Sequence, residues 1–362
     1  MKKTILILLS GFLGAGKTTL MLSAADILRA KGMKVACITN DQSEQLVDSK
    51  MVLRKEIPLQ QIQGGCFCCR FEDLDNSITR IIDEHCPHVI LAEAVGSCTD
   101  LIATVIKPLQ SFHKDKLDIR PLSVVVDPER WSDLVSHTTS FTDEIHYLFR
   151  KQLEEAQCIL LNKSDLLSTA QVEQFICQLT DDFTAAPVFS ISAADGAGVD
   201  EWINHIIYAK PNSLPLLDID YDKYAAGEAQ LGWLNASFAI NGRIGDVGLL
   251  CTSFMEKLLS DCKNVKADIA HLKLWGQDGK NTIKLSTVRN GSYMLDHMTS
   301  RDWFTDHFII WINARVHIDP TQLSDILLKA LRSLEEDFSF VITIDQMDCF
   351  SPSRPIPTYR MA

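Results

Sequence analysis

Short, almost continuous apolar runs recur through the first half of the chain, separated by amphipathic segments. Apolar runs of roughly four to eight residues without polar alternation are typical of parallel strands that are buried on both faces. Helical patterns lie between them, for example over residues 18–31 and 72–84. This alternation predicts an α/β fold, a doubly wound and mostly parallel sheet. The predicted strands cover residues 4–10, 34–40, 88–94, 122–127, 158–163 and 187–192.

The pattern changes near residue 211. Pro211 and Pro215 flank a polar turn, and an acidic stretch follows them. We therefore expect a first domain over residues 1–212, a linker over 213–224 and a second domain over 225–350. The last residues, 351–362, are proline-rich and are expected to form an extended tail.

Strands and helices are mixed differently in the second domain. A predicted strand is followed by a helix over residues 246–262, and a second helix begins at Asp319 and Pro320, where proline is well placed. The order strand, helix, strands, helix, strand predicts a smaller α+β domain of the split-βαβ type. The predicted strands of this domain cover residues 234–240, 266–276, 281–289, 307–318 and 338–345.

Composition narrows the class of protein. A length of 362 residues suits two domains, because single cores stop growing at roughly 250–300 residues. The net charge of −12 argues against partners such as nucleic acid or an anionic membrane. The apolar run at residues 5–9 is far shorter than a membrane span of about 20 residues. We therefore expect a cytoplasmic protein whose 11 cysteines are thiols or metal ligands rather than disulfides.

The segment GFLGAGKTT fits the phosphate-binding pattern G-x-x-x-x-G-K-[ST]. It follows a predicted strand and opens a predicted helix, so backbone N–H groups and the helix dipole converge on phosphate oxygens. Lys17 is expected to reach the β- and γ-phosphates, and the Thr18 hydroxyl is expected to bind Mg²⁺. A glycine-rich turn without a ligand would leave both residues unexplained. The predicted nucleotide-binding residues here are Gly11, Gly14, Ala15, Gly16, Lys17, Thr18 and Thr19.

A second motif selects the base. The tetrapeptide N-K-S-D, which contains Asn162, Lys163 and Asp165, lies at the carboxyl end of a predicted strand, where α/β sheets bind ligands. The Asp165 carboxylate can accept both N–H donors of guanine, and adenine has no such pair. Lys163 can pack its stem along the base, and a backbone amide at Ser192 or Ala193 can meet guanine O6. The sequence therefore predicts GTP rather than ATP.

Glu93 and Gly96 follow the strand over residues 88–94. An acidic residue here can orient a Mg²⁺-bound water, and a glycine allows close approach to the γ-phosphate. A solvated loop carboxylate is the alternative for Glu93. Together with Lys17 and Thr18, these are the expected catalytic residues. No arginine finger or water-positioning glutamine is obvious, so we expect slow hydrolysis that a partner stimulates.

These motifs together resemble the P-loop GTPases that mature metalloenzymes, the family that also serves hydrogenase and urease assembly. They are most similar to its CobW-type metallochaperone branch, also labelled cobalamin synthesis protein. The segments GFLGAGKTT, AEAVG and NKSD look like the phosphate loop, E-x-x-G element and guanine motif of that branch, and GGCFCC looks like its G-C-x-C-C motif. The resemblance covers residues 4–210 and extends more loosely into the second domain. It implies a P-loop NTPase fold, GTP hydrolysis with magnesium, and a transition metal as cargo.

The metal ligands implied by the resemblance are the thiols of Cys66, Cys68 and Cys69, with Asp41 or Glu44 completing the set. Thiolates prefer Zn²⁺, Cu(I) and, with mixed ligands, Co²⁺, and zinc takes three or four such ligands. A redox pair and a structural core remain alternatives for the cysteines. Two departures from the branch are visible: the histidine-rich tract of many members is absent, and its first switch glutamate is an aspartate, Asp41, in this chain.

The sequence thus predicts a GTP-dependent metallochaperone that delivers zinc or cobalt to a client metalloprotein, with the nucleotide state controlling the cysteine site. One alternative is a GTPase that services a corrinoid enzyme without binding free metal. Another is a small-molecule kinase, which the N-K-S-D motif disfavours. The metal, the client, the role of the second domain and the choice between monomer and homodimer are not determined by the sequence.

Overall fold

The computed structural model describes residues 3–40, 55–136, 141–211, 216–338 and 340–361. Two of the predicted metal ligands, Asp41 and Glu44, lie outside the described residues. No helix in these ranges is both long and apolar enough to span a membrane.

Eight strands of the first domain form one parallel sheet. The order is β3-β2-β4-β1-β6-β7-β8, with β5 also pairing with β1. The six predicted strands are confirmed. Two more were missed, because the segment LQQI is half polar and the other new strand has only three residues. The strands are β1 (Thr4–Ser10), β2 (Val35–Asn40), β3 (Leu59–Ile62), β4 (Val89–Glu93), β5 (Leu117–Ile119), β6 (Ser123–Val126), β7 (Cys158–Leu161) and β8 (Val188–Ser190).

Helices cover both faces of this sheet. Leu6 and Leu8 of β1 belong to one hydrophobic core, whereas Ile7 and Leu9 belong to a second core on the opposite face. The doubly wound α/β fold is therefore confirmed. A π-helical turn, Ile102–Ile106, precedes the third helix. The helices are α1 (Lys17–Ala30), α2 (Phe71–His85), α3 (Lys107–Phe112), α4 (Pro128–Ser136), α5 (Asp143–Glu154), α6 (Thr169–Asp182) and α7 (Val199–Ile206).

A short helix, α8 (Tyr221–Ala229), connects the two sheets. It begins within the segment predicted as a linker and packs against α5. The approach is close: a Cβ on Gly227 would lie 2.7 Å from the carbonyl oxygen of Glu144. Glu228 is buried and accepts a hydrogen bond from the Ser97 hydroxyl. This helix is thus attached to the first domain.

The second domain is an antiparallel sheet of order β12-β11-β10-β13-β9-β14. Four of its strands, in the order β10-β13-β9-β14, have the split-βαβ arrangement, which confirms the predicted α+β domain. One strand of this sheet, MLDHM, was missed because it is short and partly polar. The elements are β9 (Gly232–Ile244), α9 (Val247–Asn264), β10 (Ile269–Gln277), β11 (Thr282–Thr287), β12 (Met294–Met298), β13 (Thr305–Val316), α10 (Pro320–Phe338) and β14 (Val341–Phe350).

The two faces of the second sheet differ in chemistry. Phe238, Leu274 and Ile310 lie on the face that packs against α9 and α10. The alternate residues form the opposite face, which borders a cleft against the first domain. We call this surface the polar sheet face; its residues are Trp233, Asn235, His271, Lys273, Lys284, Ser286, Met294, Asp296, Asn313 and Arg315.

The proline-rich tail returns to the first domain. The Thr358 amide donates to the carbonyl oxygen of Cys68 at 2.9 Å, and the Met361 amide donates to that of Ala103 at 2.9 Å. The ring of Tyr359 packs edge-on against Phe71, with ring centroids 5.1 Å apart. The tail therefore lies across the cysteine motif and the start of α2.

Candidate nucleotide cleft and metal site

The phosphate loop has the backbone that its glycines allow. Gly11 has φ +132°, and a Cβ there would lie 2.2 Å from the carbonyl oxygen of Val125. A residue with a side chain would thus be both strained and in collision. The Lys17 ammonium donates to the carbonyl oxygens of Gly11 at 2.7 Å and Phe12 at 3.2 Å. The predicted phosphate ligand therefore lies across its own loop.

Thr18 and Glu93 come together beside this loop. The Thr18 hydroxyl donates to the two carboxylate oxygens of Glu93 at 2.9 and 3.2 Å, and both residues are buried. This is a pair of hard oxygen ligands of the kind that Mg²⁺ uses together with water and phosphate oxygens, so the residues fit the ion. Gly96 also borders the cleft, and a Cβ there would lie 3.0 Å from Leu13 Cα.

The predicted base motif joins two loops at the other end of the cleft. The Asn162 amide donates to the Ala15 carbonyl oxygen at 2.7 Å, and its own oxygen accepts from the Ala193 amide at 2.9 Å. Lys163 has a left-handed backbone, with φ +60°, and its ammonium pairs with Asp127. Asp165 is exposed at the border of the cleft.

The two residues predicted to reach guanine O6 differ in position. Ser192 is buried, and its amide donates to the Ala197 carbonyl oxygen at 2.9 Å. Ala193 borders the cleft, but its amide already donates to Asn162. The next residue, Ala194, borders the cleft as well. Of the other residues predicted in the phosphate loop, Gly14, Gly16 and Thr19 border the cleft, whereas Ala15 lies behind it.

The three predicted cysteine ligands form one cluster. The sulfur of Cys66 lies 3.0 Å from that of Cys68 and 3.2 Å from that of Cys69, and the last two are 3.8 Å apart. Sulfurs bound to one tetrahedral zinc at about 2.3 Å are about 3.8 Å apart, so a small adjustment would let all three bind one ion. Within the described residues this cluster is also the one group of three or more side chains with metal-ligand geometry.

Hydrogen bonding within the cluster favours the ionised form of one thiol. Interactions with the thiols of Cys68 and Cys69 hold the pKa of Cys66 well below its usual range, so its thiolate is favoured. For Cys68 and Cys69 the largest cause is the hydrogen bond with Cys66. It raises the pKa of Cys68, and it raises that of Cys69 to about 12. The arrangement therefore favours ionisation of Cys66 over the other two thiols, and a cation bound by all three would displace their protons.

A fourth thiol was missed by the sequence analysis. Cys98 is fully buried, and its side chain interacts with the thiols of Cys66 and Cys68. It lies five residues after Glu93 on the same segment. The pairing of β2 with β4 brings this segment beside the cysteine loop, and only the paired strands show that proximity.

Asn40 joins the cleft to the cysteine loop. It ends β2 and borders the cleft. Its amide donates to the carbonyl oxygens of Gly65 at 2.8 Å and Ile62 at 3.2 Å, and its oxygen accepts from the Phe67 amide at 2.9 Å. One buried side chain thus fixes the cysteine loop from three sides while touching the nucleotide cleft.

The tail adds a contact to the cysteine cluster from the solvent side. The Ile356 amide donates to the sulfur of Cys69 at 3.3 Å, and the Thr358 hydroxyl donates to the Cys69 carbonyl oxygen at 3.4 Å. Arg360 pairs with Asp100, which follows Cys98 by two residues. The tail therefore contacts both segments that carry thiols.

Comparison with known proteins places these features in a family. The model of the CobW/HypB/UreG nucleotide-binding domain matches residues 5–190. Zinc-regulated GTPase metalloprotein activator 1 of Dictyostelium discoideum is 30% identical over 200 residues, which cover 46% of this chain and 41% of that protein. The zinc chaperone YjiA of Escherichia coli (strain K12) is 33% identical over 196 residues, which cover 52% of this chain and 57% of that protein. The matches thus span about half the length of these relatives.

Solved structures also align with part of the chain. The hydrogenase maturation factor HypB from Archaeoglobus fulgidus matches with a TM-score of 0.40 at 21% identity, covering 56% of this chain and 87% of that one. With the family model matching half of its residues, including the phosphate loop, the cysteine motif and the base motif, this chain belongs to the CobW/HypB/UreG family.

Proposed function

We propose that this protein is a GTP-hydrolysing metallochaperone that delivers zinc, or alternatively cobalt, to a client protein, and that its nucleotide state controls the cysteine site. The observation that carries the proposal is the shared border of the two sites. Asn40 touches both, and the segment from Glu93 to Cys98 begins in the cleft and ends in the cluster. The names of the relatives, a zinc-regulated GTPase activator and zinc chaperones, support zinc as the first candidate.

The nucleotide would be bound at three points. Asp165 accepts the two guanine N–H donors, Lys163 packs along the base, and the amide of Ala194 takes the contact with O6. Lys17 exchanges its loop carbonyls for phosphate oxygens. Thr18 and Glu93 would hold the magnesium ion, whose charge would help to neutralise the phosphates. Gly96 keeps the backbone after Glu93 close to the γ-phosphate.

Coupling follows from the two connections between the sites. A γ-phosphate that orders the segment after Glu93 moves Cys98 relative to Cys66 and Cys68. A change at the end of β2 moves the cysteine loop through Asn40. Hydrolysis then releases both connections, and the cargo metal passes to the client.

The buried thiols favour a soft or borderline cation as cargo. Thiolate ligands select zinc, Cu(I) and, in mixed sites, cobalt over magnesium or calcium. Binding would release protons, because the thiols of Cys68 and Cys69 have raised pKa values.

Zinc titration with a competing chelator tests the proposal. We expect the zinc affinity to differ by about tenfold or more between the protein bound to a non-hydrolysable GTP analogue and the protein bound to GDP. Equal affinities in both states would defeat the coupling, since a ligand without differential affinity shifts no equilibrium. Substituting Cys66, Cys68 and Cys69 with serine should abolish tight binding. The matched control substitutes Cys86 and Cys177, which are exposed and outside the cluster, and should leave it intact.

Two further readouts separate the alternatives. A preference for ATP over GTP would favour a small-molecule kinase, because the Asp165 contacts require guanine. Full activation of a client by the triple serine variant would favour a GTPase that services a corrinoid enzyme, because free metal would then be unnecessary.

A further inference from the structure

The polar sheet face forms the second wall of the nucleotide cleft. In the strand register Lys273 lies opposite Ser286, and Lys284 lies opposite Trp275. The two lysines therefore lie on the same face of neighbouring strands, two positions apart in the register, and both border the cleft together with Lys17. The cleft thus receives cations from both domains.

The second domain packs against the first domain beside the phosphate loop. A Cβ on Gly14 would lie 2.2 Å from Val288 Cγ1, so only a glycine leaves room for the Val288 side chain against the phosphate loop. The buried Arg130 guanidinium donates to the carbonyl oxygens of Ile269 at 2.6 Å and Ala270 at 3.1 Å. Because Arg130 lies on α4, these bonds hold the start of β10 against the first domain.

The charge on this wall suits an anion. Lys284 is only 6% exposed, and lysine is rarely buried unless it is paired. Its ammonium lies 3.4 Å from the Asp296 carboxylate, which also borders the cleft. Burial lowers the pKa of His271, and the positive charges of Lys273, Arg315 and Lys17 lower it further. Positive charges from both domains therefore surround the His271 side chain. Converging positive charge beside a phosphate loop focuses the potential on a bound polyanion.

We propose that Lys273 and Lys284 bind the phosphates of the nucleotide, so that the second domain supplies in cis the cationic contacts that distinguish GTP from GDP. Lys284 exchanges Asp296 for a phosphate oxygen, and Asp296 holds it in position until then. This inference rests on the proposed GTP binding. It also gives the second domain a role: the nucleotide is enclosed between the two sheets, and loss of the γ-phosphate removes a contact that joins them.

Nucleotide affinities of charge-removing variants test the inference. Lys273→Met and Lys284→Met keep the length of the side chain and remove its charge. We expect the double variant to bind a non-hydrolysable GTP analogue about tenfold or more weakly, with a smaller loss for GDP, because charge-assisted bonds to phosphate are lost. The matched control is Lys280→Met on the exposed turn between the same two strands, which should bind both nucleotides as the unmodified protein does.

The outcomes are separable. Unchanged affinity for the GTP analogue in the double variant would overturn the inference, as would an equal loss for both nucleotides. Lys284→Arg should recover the preference for the triphosphate; if it does not, Lys284 contributes packing and the inference is wrong. An unmodified protein that binds no guanine nucleotide would instead defeat the proposed function itself.

Discussion

The nucleotide cleft and the cysteine cluster both lie at the carboxyl edge of the parallel sheet, yet they are assembled differently. The first-domain wall of the cleft consists of short contiguous motifs, each directly after a strand, so that Lys17 and Thr18 are placed by the loop that contains them. The cluster starts from a contiguous motif but is completed by distant residues: Asn40, Cys98 and the tail. The first-domain wall of the cleft is therefore locally encoded, whereas the properties of the cysteine cluster depend on the packing of several segments.

The largest effect is expected from the locally encoded site. Lys17→Ala removes the cation predicted to bind two phosphates, and we expect GTP affinity to fall about a hundredfold, as two charge-assisted hydrogen bonds are lost. Binding of a fluorescent GTP analogue measures the loss. Zinc affinity of the nucleotide-free variant should not change, which tests the independence of the two sites. Lys34→Ala, at an exposed position after α1, is the control.

A buried carboxyl that contacts the segment after Cys98 predicts a pH dependence of stability. Glu155 is fully buried, accepts a hydrogen bond from the Ile102 amide at 3.2 Å, and has a pKa raised by burial from 4.5 to about 8. Between these values the folded protein holds a proton that the unfolded chain releases. Stability therefore falls as pH rises from about 4.5 to 8, by roughly 1.4 kcal/mol for each pH unit.

Urea denaturation at pH 6 and pH 8 measures this dependence. Glu155→Gln should remove about 2 kcal/mol of the difference in the free energy of unfolding between the two pH values. The same slope in the variant and in the unmodified protein would show that Glu155 is ionised in the folded state. Glu154→Gln, on the exposed side of the same helix end, should leave the slope unchanged.

Asn40 is where the two sites meet, and its substitution tests whether they are coupled. Asn40→Ala removes three hydrogen bonds from the cysteine loop. Because buried donors and acceptors are left without partners, we expect zinc affinity to fall about tenfold or more. The difference in zinc affinity between the GTP and GDP states should also shrink. Asn40→Asp keeps the acceptor for Phe67 and should lose less; a coupling that survives in Asn40→Ala would assign it to the segment after Glu93 alone.

Much of the fold and of the cleft could be predicted because the signals are local. The G-x-x-x-x-G-K-T and N-K-S-D segments each carry their own geometry, and the apolar runs marked six of the eight parallel strands. The strand Leu59–Ile62 was missed because two glutamines interrupt its apolar pattern. The residues His271, Lys273 and Trp275 alternate with apolar residues, so their common face was readable in principle. The sequence does not show which surface this face lies against, because that depends on how the two domains pack.

The cysteine site was predicted less completely for a related reason. Cys66, Cys68 and Cys69 are neighbours in sequence, so their clustering needed no tertiary information. The partnership of Cys98 depends on the pairing of β2 with β4, and the tail contact joins residues 287 positions apart. No local pattern encodes either contact.

Substitution of Cys98 tests whether a second segment of the chain contributes to zinc binding. If Cys98→Ala weakens zinc binding about tenfold, the cluster takes a ligand or a thiol hydrogen bond from the segment that begins at Glu93. The charge-transfer absorption of the Co²⁺-loaded protein distinguishes these cases, because it falls only when a thiolate ligand is lost. Cys37→Ala is the control, since Cys37 is equally buried but belongs to the core on the other face of the sheet. Equal zinc affinity in both variants would limit the site to the local motif.

The smallest effect is expected from the tail, which contacts the cysteine cluster from outside. Ending the chain after Ser353 removes the hydrogen bond from the Ile356 amide to the Cys69 sulfur and the bonds of Thr358 to the cysteine loop. A bond of this kind is worth about 1 kcal/mol, so zinc should dissociate about fivefold faster. The dissociation rate is measured by transfer to an excess of chelator. Arg354→Ala, which breaks only an exposed ion pair with Asp222, should leave the rate unchanged. An unchanged rate in the truncated protein would mean that the tail contributes packing alone. The cysteine cluster would then depend mainly on its local motif, as the cleft does.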